Sequence, residues 1–372
     1  MNVTVNPSAF GAHSAILNLD DPGTTGIDYQ TMNVVVVPEF FTAANNYSIT
    51  KSGTIGRNQS QRFFFNVPAG TPALKVDLDD HSTAGTGQVR FLRFHPYGVT
   101  IEPSNNSLSC YSPPVSGGPT CNPLSRTTSN PLAGVWEVTV EARRTSDVTD
   151  APFTLTVSIL GATVAPNPDV IASATIGAPV ARSYTATNLF GAFTGRMVGT
   201  TLGSARRGVF SIANLAQQQY PVSVTAGSTS LRATIGGTSD LAADLDLFVF
   251  NCTSGPCVLA GSGTGSTANE SVTITGPTAG SWIALVDPFA VPSGSTTYTY
   301  SDSFANPVYG NVTTPADPAL RAPGASWSFV ASGKANVAAG SGRFLRASIA
   351  VREAVSNTAL GSATVIFANV TP

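Results

Sequence analysis

The chain's most reactive-looking side chains are acidic. Asp240, Asp244 and Asp246 lie close together, and Asp77, Asp79 and Asp80 form a second group. Clustered carboxylates beside backbone carbonyls are the ligands of calcium, a hard cation that takes several oxygens. A structural assignment competes: aspartates at outward strand positions and in turns hydrogen-bond their own backbone. Of the two groups, Asp240, Asp244 and Asp246 suit a cation better. Four cysteines fall into two local pairs, Cys110 with Cys121 and Cys252 with Cys257, each in a loop rich in Ser, Pro and Gly. Metal ligation is one reading, but neither loop has a nearby His and neither spacing is a C-x-x-C knuckle. Local disulfides pinning the loops of an exported domain fit better, and they imply an oxidising compartment.

Two further features imitate known sites. Gly261-Ser-Gly-Thr-Gly265 has the glycine content of a phosphate loop, yet no Lys-Ser or Lys-Thr follows it and no helix opens after it. It is expected as a turn. Trp136 and Trp282 could serve as aromatic platforms for a polymer. Each sits beside a Gly and between apolar residues, which suits a sandwich core better.

Strands must position all of these residues. Ala242 to Phe250 alternates small or acidic residues with apolar ones and then runs apolar, the pattern of a strand entering a core. Ala279 to Asp287 has the same character and is its expected partner. Short Val/Thr/Phe runs recur between clusters of Gly, Pro, Asn and Ser, and no long amphipathic helix is visible. With charged residues at 11%, 35 Gly, 26 Pro and Lys51, Lys75 and Lys334 as its only lysines, the chain reads as all-β. A net charge of −2 gives no field for nucleic acid, and basic residues appear as isolated pairs such as Arg143-Arg144 and Arg206-Arg207. Apolar runs such as Val34 to Val37 are far short of a membrane span. The opening residues show no export signal and read as the middle of a domain, as if cut from a larger parent.

Five segments follow from the pattern: 1–40, 41–165, 166–205, 206–314 and 315–372. In 1–40, Asn2 to Val5, Ser14 to Leu19 and Thr31 to Val37 are expected strands, too few to close a core alone. Segments 41–165 and 206–314 repeat one another as tandem domains. Arg62 to Gly70 matches Gln219 to Gly227, and Leu74 to Leu78 matches Leu231 to Ile235. Val89 to Phe94 matches the Asp244 strand, and Gly134-Val-Trp136 matches Gly280-Ser-Trp282. Strand-like runs at Ala181 to Thr187, Gly195 to Gly199, Ser326 to Val330, Leu345 to Val351 and Ala363 to Asn369 lie in the other two segments. Neither has a sufficient core alone, so the two are expected to pack together.

The motifs Val67-Pro-Ala-Gly70, Val224-Thr-Ala-Gly227, Asp244-Leu-Asp246-Leu and Gly-x-Trp resemble the pre-peptidase C-terminal (PPC) domain, a jelly-roll-like β-sandwich. Tyr184 to Gly195, Leu202 to Arg206 and Val291 to Tyr300 are similar to the long non-catalytic C-terminal region of secreted bacterial subtilisin-like serine peptidases. The resemblance covers nearly the whole chain. It implies tandem antiparallel β-sandwiches with partial fibronectin type III-like strands at both ends. Calcium binding in the related sandwiches of clostridial collagenases extends to Asp240, Asp244 and Asp246 as an expectation. The first sandwich departs from the pattern, because Val89-Arg-Phe-Leu-Arg-Phe94 lacks the Asp-Leu-Asp-Leu form.

A peptidase of that family needs a serine, a histidine and an aspartate in one constellation. Its histidine precedes Gly-Thr, whereas His13, His81 and His95 precede Ser, Ser and Pro. Gly237-Thr238-Ser239 imitates the serine motif, but Asp240-Leu241 follows in place of Met-Ala. The expected function is therefore a non-enzymatic accessory region of a secreted subtilisin-like peptidase, which would stabilise, space or present substrate to the catalytic domain of its own parent chain. The alternative is a module that binds an extracellular protein or polysaccharide.

Overall fold

The computed structural model describes residues 4–7, 9–79, 87–102 and 124–372. The chain is all-β, and alternation decides which side chains enter its cores. In Ala73–Leu78 the side chains of Leu74, Val76 and Leu78 are buried, while Lys75 and Asp77 turn outward. In Asp244–Asn251 the same two-residue period buries Leu245, Leu247 and Val249.

Two four-stranded sheets form the first sandwich. One runs Ser48–Gly56, Asp150–Leu160, Ala73–Leu78, Ser125–Ser129; the other runs Glu39–Phe40, Ser60–Val67, Gly134–Ala142, Val89–Phe94. Phe65, Phe91, Trp136, Leu155 and Val157 fill the space between them. The second sandwich repeats this order. Gln218–Val224, Gly280–Ala290, Asp244–Asn251 and Val258–Gly263 pair in one sheet, and Gly203–Ala213, Ser295–Ala305, Ser230–Gly236 and Glu270–Thr275 pair in the other. The repeat extends to single bonds. Trp136 and Trp282 are both buried, and each indole N–H donates to the carbonyl four residues earlier, Leu132 at 2.8 Å and Thr278 at 2.9 Å. Thr71 and Ser228 each return a hydroxyl to the first carbonyl of its turn, Pro68 and Thr225.

The second sandwich's larger sheet does not stop at Gly203–Ala213. It continues through Phe344–Glu353 and Ala359–Phe367 to Asp169–Ile171, in a nine-stranded sheet that Phe193–Gly199 also joins. Against this far half lies a sheet of Ala162–Ala165, Pro179–Asn188, Ser326–Ala335 and Gly310–Thr313. Tyr184, Ala186, Phe329 and Ala331 from that layer share one core with Leu345, Ile349, Val365 and Phe367. Strands from either end of the second sandwich thus pair directly: Pro179–Asn188 with Ser326–Ala335, and Phe193–Gly199 with Phe344–Glu353. Most pairings are antiparallel; Glu39–Phe40, Asp169–Ile171 and Ala174–Thr175 run parallel to their partners.

Near the start of the chain, Gly11–Leu19 and Tyr29–Val37 form a hairpin that is a two-stranded sheet of its own. Thr4 and Val5, the described part of the expected first strand, are not in a strand. One hairpin face carries Ala12, Ser14 and Ile16 opposite Val36, Val34 and Met32. Its apolar members are exposed, Met32 at 70%.

Candidate functional site

The acidic strand places its three aspartates in different situations. Asp240 precedes the strand and shapes the turn: its carboxylate accepts from the backbone N–H of Ala242 and of Ser293, each at 3.0 Å. Those bonds, Ser293 foremost, hold the Asp240 carboxyl below the usual carboxylate range. Asp244 and Asp246 flank the buried Leu245 on the outward face of the strand. Directly across the ladder from Asp246 stands Asp287, a third carboxylate that the sequence reading did not place there. Burial raises the Asp246 carboxyl above its ordinary value, and repulsion from Asp244, Asp287 and Glu270 raises it further. Oδ1 of Asp244 is buried with no hydrogen-bond partner.

The residues thus offer carboxylate oxygens at Asp244, Asp246 and Asp287, with Asp240 occupied in its own turn. Among the described residues, no group of three or more His, Cys, Asp or Glu side chains is arranged to hold a metal ion. In the second acidic group, Asp77 pairs with Lys75 at 3.4 Å, and the Asp79 N–H donates to Thr154. Asp80 lies outside the described residues. Cys252 and Cys257 are joined in a disulfide across the turn between Asp244–Asn251 and Val258–Gly263. Cys110 and Cys121 lie outside the described residues. Gly261 and Gly263 belong to Val258–Gly263, and the Gly265 N–H donates to Glu270.

The residues that imitate hydrolytic motifs have local partners. His13 contacts the Ala9 carbonyl, His95 accepts from the Tyr97 N–H, and His81 is outside the described set. Ser239 accepts from the Thr297 N–H and contacts the Thr296 hydroxyl, which makes its segment a turn laid against Ser295–Ala305.

Sequence reasoning missed three buried charged networks. Glu102, its side chain fully buried, accepts from the backbone N–H and Nε of Arg93 and from Arg126, whose guanidinium lies 3.6 Å from the centre of the Phe91 ring. Burial lowers the Arg126 guanidinium to about 10 despite Glu102. Asp169 takes Arg182 and the Tyr184 hydroxyl, and Asp302 takes Arg343 and the Tyr300 hydroxyl. Arg93 gave one visible signal, because it occupies an inward position in an alternating strand. Its partners Glu102 and Thr128 lie outside that strand and gave none.

No family model matches this chain. Over 283 residues it is 24% identical to pyrolysin from Pyrococcus furiosus, a match that takes in 76% of this chain and 18% of that protein. The chain matches part of pyrolysin. It spans less than a fifth of that relative's length. Among solved structures, tripeptidyl peptidase 2 (TPP II) gives a TM-score of 0.43 at 11% identity, over 98% of this chain and 33% of that one. The M60 catalytic domain with two CBM51 domains from Clostridium perfringens ZmpB gives 0.21 at 9% identity, over 81% and 42%. No helix among the described residues is long and apolar enough to cross a membrane.

Proposed function

We propose that this chain is the non-catalytic accessory region of a secreted subtilisin-like serine peptidase, built from PPC-like sandwiches. The observation that carries the proposal is the pyrolysin match, which runs through three quarters of this chain but a small fraction of a much longer subtilisin-like peptidase. In such a parent, the sandwiches stabilise the catalytic domain, hold it at a set distance, or present protein substrates to it.

Three features of the molecule support that reading. Buried charge in this chain is spent on packing: Glu102, Asp169 and Asp302 are each locked to arginine. The hairpin face bearing Ile16, Met32 and Val34 is exposed at 61%, 70% and 60%, the kind of apolar surface that a neighbouring domain covers. The Cys252–Cys257 disulfide suits an extracellular location.

The deciding experiment is a sensitive peptidase assay on the isolated chain against casein and fluorogenic peptides. The expected result is no turnover. Turnover abolished by a serine-reactive inhibitor would overturn the proposal. A second measurement compares the catalytic domain alone with the same domain carrying this chain, and the longer form should retain activity longer on heating.

A further inference from the structure

A concave polar face lies where the nine-stranded sheet passes from the second sandwich toward Phe344–Glu353, and nothing above uses it. It encloses a cavity of about 600 Å³. The register brings three arginines from three strands to one side of the sheet. Arg346 stands opposite Gly203, and Arg207 lies four residues beyond Gly203 on the same strand. Between them, Ala205 is opposite Ser303, which is opposite Arg232 on its other side. Cross-strand partners and alternate residues share a face, so all three guanidiniums project from the same surface.

These arginines have no carboxylate. Among the described residues, no ion pair involves Arg207, Arg232 or Arg346. Their bonds go to neutral oxygens instead, Arg232 to the Ser271 hydroxyl at 3.2 Å and Arg346 to the Thr364 hydroxyl at 3.4 Å. Asp302 sits on a neighbouring strand, but it is buried and already held by Arg343 and Tyr300. Burial, together with repulsion from Arg232 and Arg207, pulls the Arg346 guanidinium below its ordinary value. Three like charges held together without a counter-charge raise one another's energy, and an oxyanion seated among them relieves that cost.

Thr234, Ser301 and Thr364 also line the cavity; the Thr234 and Ser301 hydroxyls bond each other at 2.7 Å, and Thr364 accepts from Arg346. A hydroxyl both donates and accepts, so this lining matches a ligand that is itself rich in hydroxyls. Ser230–Gly236 and Ser295–Ala305 are paired on both sides, so an extended acidic peptide cannot add as a strand beside Arg232. A net charge of −2 for the whole chain opposes a long, densely charged nucleic acid.

We infer that this face binds an acidic glycan, with Arg207, Arg232 and Arg346 holding its carboxylate or sulfate groups and Thr234, Ser301 and Thr364 meeting its sugar hydroxyls. The inference goes beyond the accessory role proposed above and stands whether or not that role is correct. Sequence alone hides the site, since Arg207 and Arg346 are far apart in the chain and only strand pairing joins them.

The test uses the full chain in titration calorimetry at low salt against polygalacturonate, dextran sulfate, neutral dextran, polyglutamate and duplex DNA. At least one acidic glycan should bind, neutral dextran should not, and binding should weaken as salt rises. Polygalacturonate and dextran sulfate separate a carboxylate from a sulfate source. Each of Arg207→Gln, Arg232→Gln and Arg346→Gln should weaken binding by about tenfold, the loss of one charged hydrogen-bonding partner. Arg196→Gln, on a different strand and not among the residues that line the cavity, should leave affinity unchanged. Thermal melts of all four variants distinguish lost binding from lost folding. No binding to either acidic glycan, equal or tighter binding of polyglutamate or DNA, or binding that survives all three substitutions would overturn the inference.

Discussion

Glu102 shows how a single side chain carries a disproportionate load. Its carboxylate is wholly buried between Arg93 and Arg126, which are themselves 7% and 10% exposed at the side chain. Breaking a buried ion pair by neutralising one partner costs about 3–5 kcal/mol, because the opposite charge stays behind without compensation. Glu102→Gln should therefore lower the urea midpoint strongly without changing the slope of the transition. Asp246 presents the opposite case, a carboxylate whose charge costs stability. Its folded-state pKa is raised, so the folded chain holds that proton to a higher pH than the unfolded chain does. The penalty is absent below the unfolded value of about 3.9 and grows as pH rises through the folded value. Asp246→Asn should melt above the parent at pH 7 and level with it at pH 3. Calcium titration separates the two readings of this strand. A saturable rise in melting temperature that disappears in Asp246→Asn would mean that the outward carboxylates take a cation, and no rise would mean that they are strand surface.

At the scale of the element, a Gly-x-Trp strand entry and the turn after Gln218–Val224 show what fixes the second sandwich. Gly280 has a φ of 131°, and a Cβ there would lie 2.4 Å from Cγ2 of Thr253. Gly227 has a φ of 81° with nothing within 4 Å of the same added carbon. Gly227→Ala should cost about 1 kcal/mol, the ordinary penalty of a left-handed residue. Gly280→Ala should cost about 3 kcal/mol, since the added carbon meets both an unfavourable backbone and a neighbour. Equal costs in chemical denaturation would mean that the strand entry relaxes around the methyl group. These elements were legible in the sequence, because period-two alternation and turn glycines are local signals. Leu245, Leu247 and Val249 were expected inward and are buried, and Trp136 and Trp282 belong to the two cores. Cross-strand neighbours were not legible. Asp287 lies opposite Asp246 through a pairing that sequence spacing does not encode, and a bulge between Asp244 and Leu245 shifts the register beside it. Nor could alternation show that Gly203–Ala213 pairs with Phe344–Glu353, which carries one sheet across both later sandwiches.

That shared sheet has a consequence for the molecule as a whole. The first sandwich buries Phe65, Trp136 and Leu155 in a core of its own, while one continuous core runs from Leu231 and Trp282 through Ile349 and Phe367. Arg343 ties the continuous part together: it leaves the loop before Phe344–Glu353, donates to Ser204 at 2.6 Å and pairs with the buried Asp302. Strands that share hydrogen bonds and core unfold together, whereas a sandwich with a separate core can unfold alone. Calorimetry should therefore resolve two transitions, with the larger enthalpy belonging to the shared-sheet part. Arg343→Met strands the Asp302 carboxylate with the Tyr300 hydroxyl alone, and it should lower the larger transition while leaving the smaller one in place. Glu102→Gln should do the reverse. If both substitutions moved a single common transition, contacts such as Tyr47 against Phe190, at 5.2 Å between ring centres, would have to couple all three sandwiches into one cooperative unit.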